Sequence, residues 1–186
     1  MPWIVVDVET DGPCPAIYSM VSFGAVVVEP TLSCCFKSVM SPISPHWKTE
    51  ALSVCGISRE LQETYPTPDK AMRDFRTWLD TLAPNGALTF VSDNPAFDWQ
   101  FMNYYFHRFL GENPFGFSAR RIGDLYAGWK GDASKSNDWK KLRKTRHTHD
   151  PLDDAKGNAE ALLTMWSEGF VFPFGSTKKG SQTESG

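Results

Sequence analysis

Apolar positions along the chain change spacing several times, and each change marks an element. Trp3 to Val8 is a short run rich in β-branched residues, as in a buried strand, and Gly12-Pro13-Cys14-Pro15 breaks it. Val21 to Glu29 predicts a second strand ended by Pro30, and Cys34 to Met40 a third, so the chain opens antiparallel. Proline and serine mark a loop through Pro45. Thr49 to Val54 reads as a short helix, with Gly56-Ile57-Ser58 as its stop. Pro68 to Leu82 is a longer helix, with Ala71, Met72, Phe75, Trp78, Leu79 and Leu82 at helical spacing and Pro84-Asn85-Gly86 closing it. Ala87 to Ser92 predicts a buried strand that leads into an aromatic helix from Pro95 to about Leu110. Ile122 to Tyr126 reads as a last short strand, Gly128 to Asn137 as a polar loop, and Asp138 to Arg146 as a basic segment able to form helix. Pro151 to about Ser167 is the final helix, with Leu152, Ala155, Ala159, Leu162, Leu163 and Trp166 on or near one face.

Strands first, then helices alternating with strands, predict one α/β domain with a mixed sheet over residues 1–170. Gly175 to Gly186 carries no apolar side chain, and residues 171–186 are expected to be a disordered polar tail. A length of 186 residues suits one domain with a real core. The formal net charge of −3 argues against gripping long duplexes by bulk electrostatics, so any nucleic-acid contact is local. Cys14, Cys34, Cys35 and Cys55 form no CxxC pair, which disfavours a cysteine zinc centre or a disulfide framework and predicts reduced thiols. The N-terminus lacks a basic region before its apolar run, and no apolar stretch approaches the ~20 residues of a membrane span. A cytoplasmic protein with no membrane partner is expected; its oligomeric state stays open, a homodimer included.

The chemistry lies in the acids. Asp7 and Glu9 end the first strand, and the period of two puts both carboxylates on one face. Alone, such a pair is an ordinary solvated strand end; here the strand before it is apolar and central. Asn94-Pro95-Ala96-Phe97-Asp98 sets an N-cap, a favoured first-turn proline, and an aspartate at the fourth helical position. Asp150-Pro151-Leu152-Asp153-Asp154 repeats that layout. Each aspartate alone could simply complement a helix dipole, a role that suits Asp153 better. Together, Asp7, Glu9, Asp98 and Asp154 would crowd one pocket, where they repel unless cations neutralise them. Oxygen ligands suit Mg²⁺ or Mn²⁺, and two such ions roughly 4 Å apart clamp a phosphate for in-line displacement. His149, just outside the last helix, is placed to take a proton from attacking water. His147, among basic neighbours, reads as solvated.

Asp7-Val8-Glu9-Thr10 with Gly12, Asn94-x-x-Phe97-Asp98, and His149-x-x-x-x-Asp154-Ala155 resemble the three motifs of the DEDDh 3′→5′ exonucleases, the DnaQ-like and RNase T-like group. The segment Ala51 to Leu61 also looks like that group's short helix and turn. The resemblance spans residues 3 to about 168. It implies an RNase H-like fold, two Mg²⁺ (or Mn²⁺) ions, and release of nucleoside 5′-monophosphates from single-stranded RNA or DNA 3′ ends. Asp7, Glu9 and Asp154 would hold one metal and Asp7 with Asp98 the other; His149 would be the general base, and the backbone around Thr10 would contact the terminal nucleotide. This sequence departs from the pattern in a long, proline-rich Pro13–Met20 loop, in Ser22 where a carboxylate often stands, and in Pro151.

Further substrate contacts are expected from the basic stretch before His149, notably Lys140, Lys141, Arg143 and Lys144. Most rings on the helix after Asp98 should be core, whereas Met102 and Tyr105 share Asp98's helical face and are expected to meet substrate. Met20 and Tyr18, in the loop near the metals, are further candidates. RNA or short oligonucleotides are the favoured substrates; a DNA-directed exonuclease or proofreader, and an inactive nucleic-acid-binding module, are the alternatives.

Overall fold

The computed structural model describes residues 1–83 and 86–171; the turn at Pro84-Asn85 and all but the first residue of the expected tail lie outside them. Five strands form one mixed sheet in the order β3-β2-β1-β4-β5. β1 (Trp3–Thr10), β2 (Met20–Val27) and β3 (Cys35–Val39) pair antiparallel, while β4 (Thr89–Ser92) runs parallel to β1 and β5 (Ala119–Arg121) parallel to β4. The central β1 is covered on both faces, as its unbroken apolar run requires.

Strand alternation sorts the core into two halves. Ile4, Val6 and Val8 face one side with Phe23, Phe75, Phe90 and Phe101, under α3 (Pro68–Leu82) and α4 (Pro95–Leu110). Trp3 and Val5 face the other with Val26, Val91, Trp139 and Leu162, under α6 (Pro151–Ser167) and α5 (Ile122–Lys130). α3 buries Ala71, Met72, Phe75 and Leu79 and carries i,i+4 ion pairs such as Arg73–Asp69 on its outer face, the division its sequence spacing dictates.

Three expected segments differ. Ile122 to Tyr126 is the start of α5, and the strand is the three residues before it. Ile122, Leu125, Tyr126 and Trp129 fall at i, i+3, i+4 and i+7 and pack together, and Gly131 at φ 65° caps the helix, so helical period prevails over the short β-like run. The strand itself is an edge, where Arg120 and Arg121 can sit without burying charge. Gly56 does end α1 (Thr49–Cys55), with φ 69°, but Ser58 opens a further short helix, α2 (Arg59–Glu63), its Oγ accepting from Leu61 N at 3.2 Å. Buried Arg59 anchors α2 to the end of β1 through Asp11 at 2.9 Å. The basic segment forms only a 3-10 turn over Asp138–Leu142, with Trp139 fully buried beneath it.

One close approach decides where α6 begins. Gly24 sits opposite Asp7 in the β1–β2 register. A Cβ on Gly24 would lie 2.4 Å from Pro151 O and 2.5 Å from Leu152 N, so only glycine lets the first turn of α6 rest on the sheet. Gly24→Ala should therefore cost about 1–3 kcal/mol and lower Tm by roughly 3–10 °C for a chain of this size. Thermal denaturation followed by circular dichroism checks this; an unchanged Tm would mean that the helix is not seated there.

Candidate active site

The odd residues of β1 continue the α6 face, so Asp7 and Glu9 project from it side by side, opposite Gly24 and Ser22. Asp150 caps α6, its Oδ1 accepting from Leu152 N at 3.0 Å and Asp153 N at 3.4 Å, and an ion pair with Lys37 ties the cap to β3. Pro151 opens the helix, and Asp154, one turn in, is fully buried against β1. Asp154 Oδ2 accepts from His149 N at 2.9 Å; its Oδ1 accepts from Thr148 N at 3.2 Å and from Arg143 Nη2 at 2.8 Å. Asp98 arrives from the opposite face of the sheet. It too is one turn into a proline-opened helix, and its Oδ1 accepts from Val8 N at 3.4 Å, although Asn94 makes no side-chain cap bond.

Ligand oxygens of Asp7, Glu9 and Asp154 lie within 4.8 Å of one another. Asp7, Glu9 and Asp98 line one open cleft of about 330 Å³ with Thr10, Ala51, Val54, Phe97, His147 and His149. Burial, then the charges of Asp98, Glu9 and Asp154, hold the Asp7 carboxyl well above the usual carboxylate range. Burial pushes Glu9 up to about 7, against a Cys55 thiol donating at 3.4 Å, and pushes Asp98 up to about 7. Arg143 and Cys55 offset this crowding only in part, and an all-oxygen donor set fits a hard divalent ion. His149 stands at the rim, its Nδ1 3.8 Å from Glu9 Oε1 and its backbone at φ 61°. The bond from its N–H to Asp154 helps hold this left-handed conformation, unusual for a residue with a side chain.

Several expected contacts are not made as anticipated. Met20, Met102 and Tyr105 are fully buried and face core, not cleft. Tyr105 is committed internally, its hydroxyl accepting from Met20 N at 2.7 Å, and burial raises its pKa. Sharing a helical face with Asp98 was insufficient, because that face turns under the Met20 end of β2 after one turn. Thr10 lines the cleft but its Oγ1 donates to Gly12 O. His147 is not free in solvent: its Nδ1 lies 2.8 Å from Asp154 Oδ1. The basic residues divide. Arg143 is spent on Asp154, Lys140 pairs with Asp93 and Lys141 with Asp138, while Lys144, whose charge also acts on Glu160, lines a second cleft of about 360 Å³ with Lys140 and Arg146. That cleft shares Asp93 and His147 with the acid cleft, so the two adjoin. Cys55 and Arg143 were not foreseen as partners of the acids; only the adjacency of α1 to β1 and the glycine at 157 reveal them.

A family model described as the 3′-5′ exoribonuclease Rv2179c-like domain matches residues 3–166. A "3′-5′ DNA exonuclease Cap18" from Escherichia coli is 39% identical over 168 residues, covering 85% of this chain and 88% of that protein. Among solved structures, cell-death related nuclease 4 (CRN-4) aligns with a TM-score of 0.72 at 18% identity, over 90% of this chain and 64% of its own. The nuclease domain of 3′hExo, a DEDDh family member bound to rAMP, aligns with a TM-score of 0.71 at 16% identity, over 94% and 96%. At these identities the two structures speak to the fold, which is that of the RNase H-like DEDDh exonucleases.

The raised carboxylates fix a sign for pH dependence. Glu9 and Asp98 bind protons more tightly folded than unfolded, so the metal-free protein loses stability as pH rises from about 4.5 to about 7, by roughly a few kcal/mol. Saturating Mg²⁺ should remove most of that slope, as expected of a ligand that binds only the folded state. Tm measured across this range with and without Mg²⁺ checks the expectation, and Asp98→Asn should flatten the metal-free curve.

Proposed function

Because the chain belongs to the family of Rv2179c-like 3′-5′ exoribonuclease domains, DEDDh-type 3′-5′ exonucleases acting on nucleic acid, we propose that its acid cleft hydrolyses the terminal phosphodiester of single strands with two divalent cations, Mg²⁺ or Mn²⁺. The observation that carries this reading is the convergence of Asp7, Glu9 and Asp154 oxygens within 4.8 Å, with Asp98 in the same cleft. Asp7, Glu9 and Asp154 would hold one cation, and Asp7 with Asp98 the second. Cations bound there supply Lewis-acid stabilisation of the charge that builds on the scissile phosphate.

The chain's own residues orient the reaction. His149 takes a proton from the attacking water; the water oxygen bonds to phosphorus, the bond from phosphorus to the 3′-oxygen breaks, and a nucleoside 5′-monophosphate leaves the shortened strand. The bonds from His149 N and Thr148 N hold Asp154, so base and ligand share one rigid turn. Phe97, Ala51 and Val54 give the terminal nucleoside apolar walls, and Lys140, Lys144 and Arg146 in the adjoining cleft suit the next phosphates. The free cysteines suit a cytoplasmic setting.

RNA or short oligonucleotides are the favoured substrates, in keeping with the family description. The name of the Escherichia coli relative favours DNA as a second reading. Matched end-labelled ribo- and deoxyribo-oligonucleotides separate the two: mononucleotide release should require Mg²⁺ or Mn²⁺, stop with chelator, and run faster on RNA, and faster loss of DNA would reverse the preference. Asp154→Asn should lower kcat by roughly a thousandfold. His149→Asn, which tolerates the left-handed backbone, should lower it by about 10²–10⁴. Full activity in either variant would refute the site. Replacing Lys140 and Lys144 should reduce the slope of log affinity against log salt by about 1–2; an unchanged slope would remove these lysines from the phosphate path.

A further inference from the structure

Beside the acids, a second donor set stands at the mouth of the cleft. His147, His149 and Asp154 each offer a ligand atom, all within 4.8 Å of one another. His147 Nδ1 lies 2.8 Å from Asp154 Oδ1, and the two imidazole rings meet edge to face with centroids 4.3 Å apart. The histidine side chains are 55% and 44% exposed, so an ion can reach them, whereas Asp154 is buried and braced by the backbone N–H groups of Thr148 and His149. We propose that these three residues form a second metal centre that shares Asp154 with the acid cluster, suited to Zn²⁺ over Mg²⁺, whose filling switches the exonuclease off.

Ligand chemistry selects the ion. Two imidazoles and one carboxylate match a borderline cation with three protein ligands and an open fourth position, and imidazole favours zinc over the hard cations that all-oxygen sites hold. Ligands at the usual zinc distances span roughly 3.3 Å across a tetrahedral edge, so the His147–Asp154 pair needs to open by only about 0.5 Å. The ion would sit between those two atoms. Arg143 Nη2, 2.8 Å from the same Oδ1, already stands behind it as an outer partner. Asp154 belongs to both donor sets. Zinc in the histidine set would therefore compete for the Asp154 carboxylate and would occupy the ring of His149. The inhibition rests on the exonuclease reading; the binding does not.

The test titrates Zn²⁺ into the full chain by calorimetry, for wild type, His147→Gln, and a D7N/E9Q variant that lacks two acids of the cleft but keeps all three zinc ligands, with circular dichroism reporting folding. Wild type and D7N/E9Q should each bind one equivalent, and H147Q should bind at least fivefold more weakly. If D7N/E9Q does not fold, Asp7→Asn alone, which removes the acid common to both proposed cation sites, serves the same purpose. With saturating Mg²⁺, one equivalent of Zn²⁺ should slow nucleotide release by wild type at least fivefold and slow H147Q less than wild type, each against its own zinc-free rate. Zinc affinity in H147Q within fivefold of wild type, or a folded acid variant that binds none, overturns the centre. Zinc bound through His147 without slower release overturns the switch. A chain that binds zinc in this way but releases no nucleotide with Mg²⁺ alone refutes the exonuclease reading and leaves the centre standing.

Discussion

The seating of α6 on Gly24 governs the rest of the molecule. Asp7 and Gly24 are partners across two antiparallel strands, so their side chains would share a face. A side chain at 24 would fill the space that the first turn of α6 occupies. Its absence lets the helix start directly above β2, and one turn later Asp154 reaches β1. Backbone approach, not charge, brings the acids together; unaided, the charges would separate them.

Electrostatic cost is met locally. Asp154 accepts from two backbone N–H groups and from Arg143, which is 11% exposed and lies against Gly157, where a Cβ would come within 2.5 Å of Nε. A second glycine thus makes room for the guanidinium that Asp154 touches. Glu9 receives the Cys55 thiol, itself pushed up to about 12 by burial and then by Glu9, so it remains a donor and not a competing anion. Asp7 stays the most crowded carboxylate: burial and then Asp98, Glu9 and Asp154 raise its pKa, and Arg143 offsets this only in part. The same geometry puts the imidazoles of His147 and His149 at the exposed rim of the cleft.

Much of the architecture was legible because it follows local rules. Alternation along β1 fixes which residues join which half of the core, and therefore the shared direction of Asp7 and Glu9. Proline at the first helical position locates Asp98 and Asp154 in α4 and α6 within a residue. Where two local rules competed, as over Ile122 to Tyr126, the apolar run suggested a strand, but the i, i+3, i+4, i+7 spacing continued to Trp129 and a capping glycine followed. Ser58 read as part of a stop because a helix end and the next helix start use the same small residues.

The sequence by itself determined the two-sided sheet, the proline-marked helix starts and the acids they carry, since each depends on neighbours a few residues apart. Tertiary structure alone decided the partners. Tyr105 turns under Met20, Arg143 and His147 converge on Asp154, and Cys55 meets Glu9 across 46 residues of chain. Periodicity gives the face on which a side chain leaves its element; it does not give what covers that face. That is settled by how closely two elements approach, and here glycines 24 and 157 set the distance.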